Sequence, residues 1–120
     1  MFTITAVVEG QRHSATPAAF VFPGGESQVT VPAGLQAQAD TANEFRIHAL
    51  LKSADDVMQL LMLTDALRRL NPAVPVHLDM PYVPYARQDR VCNPGEALGA
   101  AVFCKPVSYT HLRAHETGRN

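Results

Sequence analysis

A chain of 120 residues, 47% of them hydrophobic, has material for a single core and one domain. Its 10 basic and 11 acidic residues are scattered to a net charge of −1, which excludes a basic stripe for nucleic acid and leaves small anions, which need only local charge. Cys92 and Cys104 show neither metal-ligand spacing nor C-x-x-C, and the chain has no leader pattern and no apolar run of bilayer length, so free thiols, a cytoplasmic location and no membrane partner are expected.

Phe2–Val8 alternates and is β-branched, which predicts a first strand ended by Glu9-Gly10-Gln11. Residues 13–19 read as irregular. Residues 20–22 are apolar, Pro23-Gly24-Gly25 is a turn signal and 27–31 alternates, so a hairpin around the glycine pair is predicted, with Glu26 leaving the turn first. From Ala33-Gly34 through Thr41 and Asn43 the polar sequence predicts an exposed connection. A strand over 45–51 then puts Phe45, Ile47, Ala49 and Leu51 on one face. His48 and His77 lack partners at metal or triad spacing and read as structural.

The clearest helix follows. Ser53 is an N-cap, Asp56 completes a capping-box spacing, and Asp55 with Asp56 places negative charge at the positive helix end. Its wide apolar stripe includes Met58 and Met62 as core filler and leaves Asp55, Gln59 and Arg69 off it. Arg68 and Arg69 suit the C-terminal turn, and Asn71-Pro72 stops the helix.

An apolar run over 74–80 predicts a buried strand, and the stretch after it carries the chemistry: Met80-Pro81-Tyr82-Val83-Pro84-Tyr85-Ala86-Arg87-Gln88-Asp89-Arg90. Two prolines stiffen the strand exit, and four consecutive polar side chains sit on a solvated loop or on a ligand. Guanidinium forks match phosphate oxygens, and a side-chain amide suits a base edge. Tyr82 and Tyr85 are expected to pack beneath the loop with their hydroxyls near solvent. Residues 94–104 read as a helix with Pro94 near its first position. Strand, polar loop and helix together describe a binding crevice at the carboxyl end of a sheet. Residues 105–120 lose the apolar period. A disordered, non-native tail is expected there, similar to translated adaptor or vector sequence, and Thr110, His111, His115 and Glu116 are a weak metal signal.

The loop over 80–90 resembles the signature loop of ribose-phosphate pyrophosphokinases, also called phosphoribosyl pyrophosphate synthetases. Phe22-Pro23-Gly24-Gly25-Glu26 is similar to that family's acidic-Gly-Glu turn, with Gly24 standing where the family usually has an acidic residue and Glu26 retained. The helical Leu63-Thr64-Asp65-Ala66-Leu67-Arg68-Arg69 is a third match in order, and the likeness runs over 20–104.

The resemblance implies an α/β fold, a mostly parallel sheet flanked by helices in a phosphoribosyltransferase-like N-terminal lobe, with residues 1–104 as the domain. It implies ATP contacts from Arg87 at phosphate or base and from Gln88 at the adenine, with Asp89 orienting Arg87 or Arg90. The turn of Gly24, Gly25 and Glu26 faces the base, often from a neighbouring subunit. The implied reaction transfers pyrophosphate from ATP to ribose 5-phosphate, giving phosphoribosyl pyrophosphate and AMP with Mg²⁺ as cofactor. The family's metal-binding His and Asp, its catalytic Lys and Arg and its ribose-phosphate loop lie beyond the point where the likeness stops. No catalytic or metal-ligating residue is therefore assigned here, and the short chain alone is expected to be inactive. Family members assemble as dimers stacked into hexamers. Two competing readings are a non-catalytic regulatory subunit of the same family, separable by the downstream sequence, and a nucleotide-binding α/β domain of another enzyme such as a dinucleotide-dependent oxidoreductase. The lack of G-x-G-x-x-G after a strand weighs against the last.

Overall fold

The computed structural model describes residues 1–109 and 113–116, with side chains described through Val107. β1 (Phe2–Val8) and β2 (Gln11–Ala15) form a hairpin whose two loop residues, Glu9 and Gly10, both have positive φ, at 50° and 80°. That is the turn whose twist matches the strands it joins. Asn43 supports it: the Glu9 N–H donates to Asn43 Oδ1 at 2.7 Å, and the Asn43 N–H donates to the Val7 carbonyl at 2.7 Å. β3 (Ala18–Val21) and β4 (Ser27–Thr30) make the second hairpin, as the glycine pair predicts. Residues 13–19, expected to be irregular, instead complete β2 and begin β3, because cross-strand pairing to β1 and β4 overrides their mixed composition.

The chain continues through α1 (Ala33–Gln36), a 3-10 turn (Ala39–Thr41), β5 (Glu44–Ala49), α2 (Ala54–Leu70), β6 (Val76–Met80), α3 (Gly99–Tyr109) and β7 (Arg113–Glu116). The connection over 33–43 is thus not a plain exposed loop. Leu35, Ala39 and Ala42 are buried in the core, and Asn71 at the end of α2 ties the 3-10 turn down by donating from Nδ2 to the Ala39 carbonyl at 2.9 Å.

The fold is α/β, and the main sheet has the order β2-β1-β5-β6-β7. β5, β6 and β7 run parallel, while β1 is antiparallel to both β2 and β5, so the sheet is mixed where a mostly parallel one was expected. A two-residue hairpin can only join antiparallel strands, so the tight Glu9-Gly10 turn forces that direction on the amino-terminal edge. The β5-to-β6 crossover needs a helix, and α2 supplies it.

One sheet face holds Phe2, Ile4, Ala6, Phe45, Ile47, Ala49, Val76, Leu78 and Met80, all buried, and joins Leu60, Leu63 and Leu67 of α2 with Phe103 and Val107 of α3 in one core. The alternate residues face the other way and, apart from Val7, are polar: Thr3, Thr5, Arg46, His48, His77 and Asp79. There Arg46 reaches Glu44 at 3.4 Å and Asp79 at 3.3 Å, and His77 Nε2 lies 3.1 Å from Glu44.

α2 opens as the sequence predicts. The Asp56 N–H donates to Ser53 Oγ at 3.2 Å, and Asp56 in return accepts the Lys52 N–H at 2.8 Å. Ser53→Ala is expected to cost about 1 kcal/mol in urea denaturation. A change within error would remove the cap from the account. Burial along α2 narrows to Gln59, Leu60, Leu63, Thr64 and Leu67, with the Thr64 hydroxyl donating to the Leu60 carbonyl at 2.9 Å. Met58 is half exposed and Gln59 buried, the reverse of the sequence reading, because the packed stripe is narrower than the apolar sequence.

α3 starts five residues after the expected Pro94 and passes the expected boundary at Cys104 before ending at Tyr109. Part of 105–120 is therefore helix and strand where disorder was expected, and β7 pairs with β6 through Leu78↔Ala114. Thr110 and His111 lie outside the described residues, and the side chains of His115 and Glu116 are likewise outside them, so the weak metal signal there stays a sequence reading only.

Candidate functional site

β6 delivers the loop to the carboxyl end of the parallel strands. Past Met80, which is buried, the chain turns twice in succession: the Ala86 N–H donates to the Val83 carbonyl at 3.3 Å, and the Gln88 N–H to the Tyr85 carbonyl at 2.9 Å. Tyr85 sits between these turns with φ at 63°, a left-handed conformation in which a bulky residue is strained. Its ring holds the loop down against Phe103 of α3, with centroids 6.3 Å apart. Both tyrosines are exposed, Tyr85 at 41% and Tyr82 at 47%, so neither is packed beneath the loop as expected, and Tyr85 makes only this ring contact at the loop's side.

Arg87, Gln88, Asp89 and Arg90 then line an open cleft of about 700 Å³ whose far wall is Cys92, Glu96 and Ala97. Asp89 pairs with Arg90 at 3.7 Å, and both are exposed, so the pair contributes little to stability. Of the two partners open to Asp89, the structure selects Arg90. Arg87 has no ion-pair partner among the described residues.

The far wall is a closed turn of its own, which is why Pro94 does not begin a helix. Gly95 takes φ at 90°, and the Glu96 carboxylate accepts the N–H groups of Cys92 at 3.2 Å and Asn93 at 3.0 Å, with the Asn93 side-chain amide at 3.4 Å. The Glu96 carboxyl is held below its ordinary value, first by the Asn93 N–H and then by the Asn93 side-chain amide, with the Cys92 N–H adding to both and burial opposing. A carboxyl depressed on folding contributes in full above its ordinary value of 4.5 and loses that contribution as pH falls through the lower, folded value. The Cys92 and Asn93 amide resonances are therefore expected to titrate together below pH 4.5 and to stop titrating in Glu96→Gln. A midpoint at or above 4.5 would contradict this wiring.

Gly24, Gly25 and Glu26 lie elsewhere. They form the exposed tip of the β3–β4 hairpin, closed by the Gly25 N–H to the Phe22 carbonyl at 2.8 Å and the Phe22 N–H to the Glu26 carbonyl at 2.7 Å. Phe20 and Phe22, both half exposed, stack edge to face beside it at 4.8 Å. The cleft that Arg87, Gln88 and Asp89 line includes none of these residues. The structure therefore brings together one half of the sequence-predicted site and leaves the hairpin half facing outward. Sequence reading passed over Glu96 as a cleft-wall residue; the Asn93-Pro94-Gly95 turn signature before it was the available clue.

Cys92 and Cys104 are free and exposed, in keeping with the thiol reading. Among the described residues no group of three or more His, Cys, Asp or Glu is placed to hold a metal ion, and no helix is long and apolar enough to cross a membrane.

Residues 13–108 match the family described as the N-terminal domain of ribose phosphate pyrophosphokinase. The ribose-phosphate pyrophosphokinase of Halobacterium salinarum, in strains R1 and NRC-1, is 31% identical over 87 residues, which cover 72% of this chain and 29% of the relative. The chain thus spans less than a third of the length of those relatives.

Proposed function

From the membership of this chain in the ribose-phosphate pyrophosphokinase family through its N-terminal domain, we propose that the cleft of Arg87, Gln88 and Asp89 binds ATP for pyrophosphoryl transfer to ribose 5-phosphate. The observation that carries the proposal is Arg87, a cation free of carboxylate partners among the described residues, at the rim of a crevice where a parallel strand ends.

In this reading Arg87 forks onto phosphate oxygens or lies against the base, Gln88 bonds the adenine edge, and the Asp89–Arg90 pair keeps the carboxylate away from the incoming anion. The anomeric hydroxyl of ribose 5-phosphate attacks the β-phosphorus and loses its proton. The bond from that phosphorus to the oxygen bridging it to the α-phosphate breaks, and AMP leaves. Catalysis of such a step is mainly positioning and offset of developing charge. This chain's residues bind and orient the nucleotide. Mg²⁺ would supply charge neutralisation on the phosphates, and the described residues offer no ligand set for it.

Gly24, Gly25 and Glu26, outside the cleft of their own chain, suit a role toward the base of a neighbouring copy, in a dimer or higher assembly. Titration calorimetry with ATP tests the binding, and a coupled assay for AMP on this chain beside a full-length relative tests the chemistry. Binding without turnover is expected for the chain; heat-silent titration would sink the ATP reading, and turnover would contradict its inactivity alone.

A further inference from the structure

We propose that Gly99 is a positioning residue, whose missing side chain is what holds the Gln88 side chain in the cleft wall. Its contribution to nucleotide affinity rests on the ATP reading above.

Gly99 is the first residue of α3, and it is buried. Gly10, Gly25 and Gly95 take positive φ, which explains a glycine at each; Gly99 does not. A helix position with ordinary φ favours alanine over glycine, so its backbone gives no reason for the residue. The surroundings do. A Cβ built at Gly10, Gly24, Gly25, Gly34 or Gly95 would meet nothing within 4 Å, whereas at Gly99 it would overlap Gln88 Oε1 and come within 2.8 Å of Gln88 Cδ and 3.0 Å of Gln88 Cβ. All three of those nearest atoms belong to the Gln88 side chain.

The Gln88 backbone is tied on both sides, so it retreats little. Its N–H donates to Tyr85 at 2.9 Å, and its carbonyl accepts the Ala100 N–H at 3.0 Å. A methyl group at position 99 is accommodated by swinging the Gln88 amide out of its place, while Gln88 Cβ, which side-chain rotation does not move, gives by a few tenths of an ångström. The neighbouring atom at closest approach is the end of a flexible side chain, so the helix tolerates the change while the cleft wall does not. α3 therefore sets the direction of the amide that the preceding loop presents.

Gly99→Ala in the full chain tests this by two readouts. The Gln88 side-chain amide resonances, read without ligand, are expected to shift while circular dichroism and Tm are retained or Tm rises. ATP affinity is expected to fall roughly five- to tenfold, the effect of misplacing one hydrogen-bonding group. Adding Gly99→Ala to Gln88→Ala is expected to cost nothing more, since the two act as one unit. Unmoved Gln88 resonances overturn the proposal whether or not ATP binds. So does a shift with unchanged affinity in a chain that binds ATP. If the resonances shift and the unsubstituted chain does not bind ATP, the positioning by Gly99 stands and the nucleotide assignment falls.

Discussion

Phe45→Ala is expected to lower the unfolding free energy by about 3–5 kcal/mol, the range for truncating a large aromatic in a packed core. Phe45 is fully buried on β5, opposite Ala6 of β1 and Val76 of β6. It therefore sits where the antiparallel and parallel halves of the sheet meet, with small or β-branched neighbours that cannot expand to fill the void. Against a total stability on the order of 5–15 kcal/mol for a domain, such a loss leaves a large unfolded fraction. Urea denaturation measures it. A cost under about 1.5 kcal/mol would mean that the site collapses readily and that Phe45 is not at the centre of the core.

The core was legible because its signals are periodic. Alternation over Phe2–Val8 and through Phe45, Ile47 and Ala49 gave the strand faces correctly, and Ser53 with Asp56 gave the start of α2. Strand direction was not legible. Nothing in the alternation of β1 says whether its neighbour runs with it or against it; that depended on Glu9-Gly10 closing as a two-residue turn, and Glu is not a residue that advertises positive φ. The start of α3 was missed for a similar reason: Pro94 suits a first helical position, but Gly95 and the Glu96 carboxylate close a local turn that competes with it.

Arg87→Ala is expected to weaken ATP binding roughly ten- to a hundredfold, the cost of losing hydrogen bonds from a charged donor. The side chain is exposed, and no ion pair among the described residues depends on it, so Tm is expected to stay within error. Arg87→Lys is expected to recover only part of the affinity, because an ammonium keeps the charge and loses the two-pronged geometry. Arg90→Ala is expected to do less than Arg87→Ala, since Arg90 already has Asp89 as a partner. Calorimetry at fixed ionic strength checks the series, with the salt held constant because exposed charges are screened. Equal losses at both arginines would point to general attraction rather than to a defined contact at Arg87.

The site was legible to a different degree from the core. The side chains of Arg87, Gln88 and Asp89 announced a polar loop after a strand, and they do share one cleft. Their separation from Gly24, Gly25 and Glu26 could not be read from the motifs, which fix order along the chain and not distance across it, although the family resemblance allowed for that turn to act from a neighbouring subunit. Gly99 was invisible too, because its closeness to Gln88 exists only once α3 is placed beside the loop, whereas Glu96 had its clue in the Asn93-Pro94-Gly95 turn.

The one-sided sheet carries a consequence for how this chain tolerates change. Successive residues of β5 and β6 live under alternating constraints, Ile47 and Leu78 answering to volume and shape, Arg46 to charge balance with Glu44 and Asp79, and His77 to its contact with Glu44. A drifting sequence is thus freer to rewrite the outward letters of β5 and β6 when Glu44, Arg46 and Asp79 change together, while the inward letters between them stay nearly silent.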